Sequence, residues 1–387
     1  MTSPLSLPCS APRAALLCLA AGVVAGACGA AALPMMQGHL LAEASESALV
    51  LCLFCVGLRL PQPPDWAALL AALRLASITL LASVLLLAGC ATVFLGMSFE
   101  HALLLGAVLA PTDPMLAGDL RGRASDEAGA AHAGLTTEAA LSDVLVLPAV
   151  LFALAACGHY DAGPMGLRWF LLDVLWALPA GLVLGGYLGR LAARTLRALE
   201  WQGQVGYIEA LLLLSVIALA YGGALALHAN GLLAVLAAGY ATAEARRRRR
   251  TLAPLPPARA LDVLALRAER TCALAMLVVL GVLASAAELR ATLFLFALPV
   301  LLGLRVLAAR LAVLQLRVPE SARAVSGCFG SRGVASIYYL LFALGSGLSA
   351  DFAGELAASA LAVLATAVAL QGLTSLPLIS QPLDQEG

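Results

Sequence analysis

Apolar residues fill this chain in long blocks, broken at regular distances by short clusters of Arg, Pro, Gly and acidic residues. A helix crossing the hydrocarbon of a bilayer needs about 20 mostly apolar residues. On that ruler the chain divides into about twelve segments, near 13–33, 45–60, 67–96, 100–118, 133–156, 167–189, 206–227, 230–245, 270–287, 291–311, 323–346 and 354–377. The pattern predicts an all-α polytopic membrane protein with about 12 transmembrane helices. Residues 1–387 read as a single transmembrane domain, with helices over about 13–245 and 270–377 joined by a cytoplasmic Arg- and Pro-rich connector at 246–269. No soluble regulatory domain is expected, and the tail after Pro377 is too short to form one.

Charge placement orients these segments. Hydrophobic residues make up 62% of the chain and charged residues 12%, against about 25% charged in soluble proteins. If the N-terminus is cytoplasmic, the cytoplasmic loops and helix ends hold Arg59, then Arg121 and Arg123, then Arg190, Arg194 and Arg197. They go on to hold Arg246 to Arg250 with Arg259 and Arg267, and finally Arg310, Arg317 and Arg323. The opposite loops carry Arg168 and Arg290 beside Glu43, Glu46, Glu100, His159, Asp161, His228, Glu288 and Asp351. This is the positive-inside bias, and it places both termini in the cytoplasm. All 23 basic residues are Arg; with so much Ala, Leu and Gly, that bias points to GC-rich coding, a bacterial source and a cell inner (cytoplasmic) membrane. Net charge is zero, so no nucleic-acid footprint is expected, and no cofactor is expected.

Two features have a plain packing explanation. Cys52 and Cys55 have CxxC spacing, but no second pair or His follows at zinc spacing, so they are taken as small apolar side chains. Gly181, Gly185 and Gly189 make a flat strip on the sixth helix where another helix can approach. Internal packing is favoured there over a dimer face.

The chemistry lies where ionisable and helix-breaking residues interrupt apolar segments. In the fourth segment Pro111 and Pro114 bracket Thr112 and Asp113. Proline removes a backbone donor and crowds the carbonyl four residues earlier, so two of them should unwind the helix and free carbonyl oxygens for a hard cation. The fifth segment carries Glu138, Ser142 and Asp143. Glu138 and Ser142 share a face, whereas Asp143 lies roughly 140° round the helix from Glu138. The two carboxylates therefore address different neighbours. An intramembrane carboxylate is by default a functional one.

The eleventh segment contains Gly327, Gly330, Ser331, Arg332 and Gly333, followed by Ser336, Tyr338 and Tyr339. Gly330 and Gly333 permit a break, and Arg332 stays charged at every relevant pH. Its partner in a dry interior is expected to be Glu138, as a structural ion pair. The fourth and eleventh segments stand at corresponding places in the two halves. Interrupted segments so placed are the best sequence pointer to a transporter site.

Leu109-Ala110-Pro111-Thr112-Asp113-Pro114, the run Glu138 to Asp143, and Cys328-Phe329-Gly330-Ser331-Arg332-Gly333-Val334 with Tyr338-Tyr339 resemble signature segments of the monovalent cation:proton antiporter superfamily, on its sodium/proton exchanger side. Leu53 to Leu60 resembles the end of an upstream helix there. The resemblance implies an inverted-repeat antiporter fold with two broken, crossing helices, a homodimer, and alternating access that exchanges Na+ or K+ for H+. It makes Asp143 the carboxylate that binds cation and proton in turn, with Thr112, Asp113 and Ser142 lining the site and Glu138–Arg332 as the stabilising pair. Ser142 stands where the electroneutral branch usually has Asn, and Ala139 where a Ser often contributes to the cation site, which leaves ion choice open. The alternatives are a sodium-coupled solute symporter of related fold and a non-transporting membrane sensor or scaffold. An intramembrane aspartyl protease lacks its Gly-x-Gly-Asp signature here.

Overall fold

A computed structural model describes residues 11–30, 38–60, 66–111, 126–201, 207–250, 259–287, 289–316 and 333–379. These residues form helices and no strand. In chain order they are α1 (Ala11–Ala25, continued by a π-helical turn Gly26–Ala30), α2 (Gly38–Arg59), α3 (Trp66–Leu95), α4 (Phe99–Leu109) and α5 (Asp126–Ala156). Then come α6 (Ala177–Trp201, entered through a π-helical stretch Trp169–Trp176), α7 (Tyr207–Ala226), α8 (Gly231–Arg250) and α9 (Arg259–Ala286). The last three are α10 (Ala291–Leu316), α11 (Val334–Leu344) and α12 (Ala350–Ile379). Among the described residues, 7 helices are long and apolar enough to cross a membrane. The apolar stretches Ala14–Cys28, Phe99–Leu109, Ala291–Gly303 and Val334–Leu344 are shorter.

Helix boundaries depart from the apolar ruler where charge enters a helix. Most of the stretch expected to be a connector at 246–269 is helical: α8 runs on to Arg250 and α9 begins at Arg259, with 251–258 outside the described residues. Arg and Glu are good helix formers, so a helix propagates through them although a hydropathy window stops there. Several of these charges also turn inward. Arg59 pairs with Glu269, which is 2% exposed. Arg246 pairs with buried Glu209 at 3.4 Å. Arg247 donates to the carbonyls of Leu60 at 2.9 Å and Leu58 at 3.2 Å, the last carbonyls of α2, where a cation is favoured by the helix dipole.

The chain divides into two compact units. The first comprises Met1–Ser45, Arg74–Val146 and Leu274–Gly387. The second comprises Glu46–Leu73 and Leu147–Ala273. The division therefore falls inside α2, α3, α5 and α9 rather than between sequence halves.

In the first unit α12 packs on α1, α4, α10 and α11. Its stretch Ala360 to Leu364 is buried on every side, as expected of a helix apolar all round. Gly106 of α4 meets α3 closely, for a Cβ there would sit 2.6 Å from the Val84 carbonyl oxygen.

In the second unit α6, α7 and α8 pack on one another. The glycine strip of α6 faces α8: a Cβ at Gly181 would lie 2.5 Å from the Asn230 carbonyl oxygen, and Cβ atoms at Gly185 and Gly189 would lie closer still to those of Ala234 and Ala238. The strip is thus an internal seam. Cys52 and Cys55 are buried free thiols on α2.

Candidate ion-binding site

The site belongs to the first unit and starts from two half-length helices. α4 and α11 have 11 residues each, about 16 Å of helix against a hydrocarbon core of about 30 Å. They pack against each other. α4 opens on Ser98, whose hydroxyl accepts from the His101 N–H at 3.5 Å, with Glu100 in the first turn. It stops at Leu109 because Pro111 has no N–H to offer the Ala107 carbonyl. That carbonyl instead accepts from Ala110, at 3.4 Å.

Pro111 is buried, and it is the last described residue of that motif. Thr112, Asp113 and Pro114 lie outside the described residues, as do Gly330 and Arg332. Gly333 is described: it stands at the N-cap of α11, where no side chain caps the helix among the described residues.

α5 carries the carboxylates. Ser142 and Asp143 are 3% and 4% exposed, so both are enclosed by protein within an apolar span, Thr137–Ala156. Tyr339 of α11, 0% exposed, donates its hydroxyl to the backbone carbonyl oxygen of Asp143 at 2.6 Å. Pro148 sits inside α5 and has no N–H for the carbonyl of residue 144, the neighbour of the one that Tyr339 bonds.

Glu138 lies one turn earlier and half-buried, and it accepts from the Thr79 hydroxyl of α3 at 2.8 Å. The expected pair with Arg332 lies outside the described residues. Sequence reasoning missed Thr79. Its only signal is a hydroxyl, with Ser77, inside the apolar run from Ala76 to Leu95. Ser336 was named only as part of a motif. It is 0% exposed, and among the described residues its Oγ has no hydrogen-bond partner. It stands three residues before Tyr339, on the same face of α11.

Two short helices packed on each other, beside a buried carboxylate in a polytopic bundle, define a secondary transporter of the broken-helix type. Residues 8–381 match the family described as sodium/hydrogen exchanger, transmembrane, and the chain belongs to that family. It is a cation:proton antiporter, a transporter and not an enzyme. Two solved structures of the sodium proton antiporter MjNhaP1 from Methanocaldococcus jannaschii are similar. The one at pH 8 is 16% identical, with a TM-score of 0.67 over 92% of either chain. The other, an electron-microscopy map, is 16% identical, with a TM-score of 0.69 over 96% of this chain and 92% of that one. At that identity the likeness establishes the fold. No curated protein matches the chain.

Proposed function

We propose that the protein exchanges Na+ for H+ across the cytoplasmic membrane by alternating access, with the two ions competing for Asp143. The observation that carries this reading is the burial of Asp143 inside an apolar span, its main chain held by Tyr339 of the helix that opens at Gly333. An ionised carboxylate without a counter-ion is costly at that depth. The group therefore crosses carrying either a proton or a cation, and that alone couples the two fluxes. A hard cation takes oxygen ligands, and Ser142 and Ser336 carry buried hydroxyls in the same unit as the carboxylate.

Thr112 and Asp113 complete the site from the α4 side, and the α4 C-terminus brings partial negative charge toward the cation. Glu138, held by Thr79, and Arg332 brace the site without carrying the ion. Both termini face the cytoplasm, as the Arg distribution supports, and the protein is a homodimer, as the resemblance implies.

The test is sodium-dependent proton release in everted vesicles or proteoliposomes, followed with a pH-sensitive dye. Asp143→Asn should abolish it and Asp143→Glu should retain part. Full exchange by the Asn variant sinks the assignment. Potassium and lithium in the same assay decide whether Ser142 and Ala139 widen the ion choice.

A further inference from the structure

A hydroxyl inside an apolar helix commonly bonds its own backbone one turn back. Ser215 donates to the Leu211 carbonyl at 2.8 Å, Thr242 to that of Ala238 at 2.7 Å, and Thr366 to that of Ala362 at 2.7 Å. Two hydroxyls of the first unit do otherwise. Ser336 of α11 and Ser359 of α12, the latter 1% exposed, are both enclosed, and among the described residues neither Oγ has a hydrogen-bond partner. Burying a hydroxyl without a partner is costly, so each such group calls for an explanation. Ser359 stands outside every motif of the sequence and outside the site described above.

Packing brings the two to one level. α11 and α12 pack on each other and are joined by residues 345–349, a short connection that makes them antiparallel neighbours. Ser336 lies eight residues before the last residue of α11 and Ser359 nine after the first of α12, which is about 12 Å and about 14 Å of helix from the turn. α4 reaches the same level. It packs on both helices, and its His101 stacks on Phe352 of α12, with ring centroids 3.6 Å apart and planes at 14°. Each ring belongs to the third residue of its helix, so α4 and α12 start together and, packed side by side, run the same way. Seven residues on, two turns later and on the same two faces, stand Val108 of α4 and Ser359 of α12. There α4 ends. A helix leaves its last carbonyls unpaired, and those of Val108 and Leu109, both buried, accept from no described residue. Ser336 ties this level to Asp143, for it shares a face of α11 with Tyr339, whose hydroxyl bonds the Asp143 carbonyl.

We propose, on the reading of Asp143 as the exchanging carboxylate, that Ser359 is a further oxygen ligand of the exchanged cation, supplied by α12 where α4 ends. The groups gathered at this level are of one chemical kind. They are main-chain carbonyls at a helix C-terminus, which carries partial negative charge, and two hydroxyls that have left their own backbone. A hydroxyl oxygen has two lone pairs to offer, and a hard monovalent cation takes such oxygens. The cation satisfies groups that are otherwise buried without partners. A proton on Asp143 does not, because it stays on the carboxyl. Ser359 therefore favours the cation-loaded form over the proton-loaded one.

Binding is read as the sodium-dependent rise in melting temperature of the full-length protein in detergent, and exchange as dye-reported proton release in proteoliposomes over a sodium titration. Ser359→Ala removes one ligand oxygen, worth about one interaction with a charged group, so the apparent sodium constant should rise about tenfold in both assays. In sodium-free buffer the same variant should melt no lower than wild type, because the hydroxyl it lacks had no partner there. Ser359→Cys nearly keeps the shape of the side chain and should show the same loss, since sulfur is a poor ligand for a hard cation. An unchanged sodium constant in both variants overturns the proposal. So does a lower sodium-free melting temperature of Ser359→Ala with its sodium response intact, which would make the hydroxyl the holder of a structural water. Asp143→Asn keeps the two readings apart. If it loses the sodium response while Ser359→Ala keeps the wild-type constant, only the Ser359 ligand falls; if it exchanges fully, the reading of Asp143 falls and this proposal with it.

Discussion

Tyr339→Phe removes one oxygen and nothing else. The ring stays in its completely buried place on α11, and what is lost is the 2.6 Å donation to the Asp143 carbonyl. That carbonyl remains within α5, so it is not orphaned. The cost is the net worth of one buried hydrogen bond, about 1 kcal/mol. The bond holds the main chain that carries Asp143, the carboxylate proposed to exchange the ions. Loosening it should reduce the fraction of molecules with Asp143 in its binding position, and apparent affinity scales with that fraction. A shift of about 1 kcal/mol corresponds to an apparent sodium constant about fivefold higher, with the maximal rate largely kept. The assay is dye-reported exchange in proteoliposomes across a sodium titration, paired with thermal unfolding in detergent. If sodium dependence and melting both match the wild type, the brace is incidental. If exchange vanishes in a stably folded variant, the hydroxyl is itself an ion or proton ligand and the positioning argument is refuted.

Thr79→Val keeps the shape of the side chain but takes its donor from Glu138; it should destabilise the protein by about 1–3 kcal/mol, and Thr79→Ser should restore most of that in the same melting experiment. Gly185→Ala should lower the melting temperature because its Cβ runs into the Ala234 carbonyl of α8, whereas Gly186→Ala, with only the Arg190 guanidinium at 4.0 Å, should be neutral or stabilising. Equal effects of the two would remove the seam from the account of α6–α8 packing. The Gly163 N–H, followed by Arg168 at 2.6 Å, holds the Asp161 carboxyl below its ordinary value. The folded-state value is depressed, so this contribution is present in full above the unfolded-state value and is lost as pH falls through the folded one. Melting of wild type and Asp161→Asn should therefore converge only in acid, below the ordinary carboxylate range, and convergence near neutrality would contradict the pairing.

The interruptions were legible because they are local. Pro111 ends α4 whatever surrounds it, and the glycines before α11 announce a start that apolar residues alone would have blurred. The burial of Asp143 was legible for a similar reason, since a carboxylate in an apolar span is enclosed by protein rather than left to lipid. Thr79 was not, because one hydroxyl in a membrane helix is inexpensive when it bonds its own backbone, and nothing nearby in sequence tells whether it turns outward. The inward turn of Arg59, Arg246 and Arg247 was not legible, because in sequence they are charges of cytoplasmic loops and helix ends without visible partners. Glu269, Glu209 and the end of α2 reach them only through the fold.

The sequence by itself determined the helical class, the positions of the helices, the two interruptions and the family. Those rest on hydrophobic length, backbone donors and conformational limits, all properties of neighbouring residues. The tertiary structure decided which groups meet: Thr79 with Glu138 across 59 residues, and Tyr339 with Asp143 across 196. Helix periodicity restricts a side chain to a face, but only the packing of that face against another helix selects the partner. In this protein that selection separates Glu138, held by Thr79 through its carboxylate, from Asp143, held by Tyr339 through its backbone.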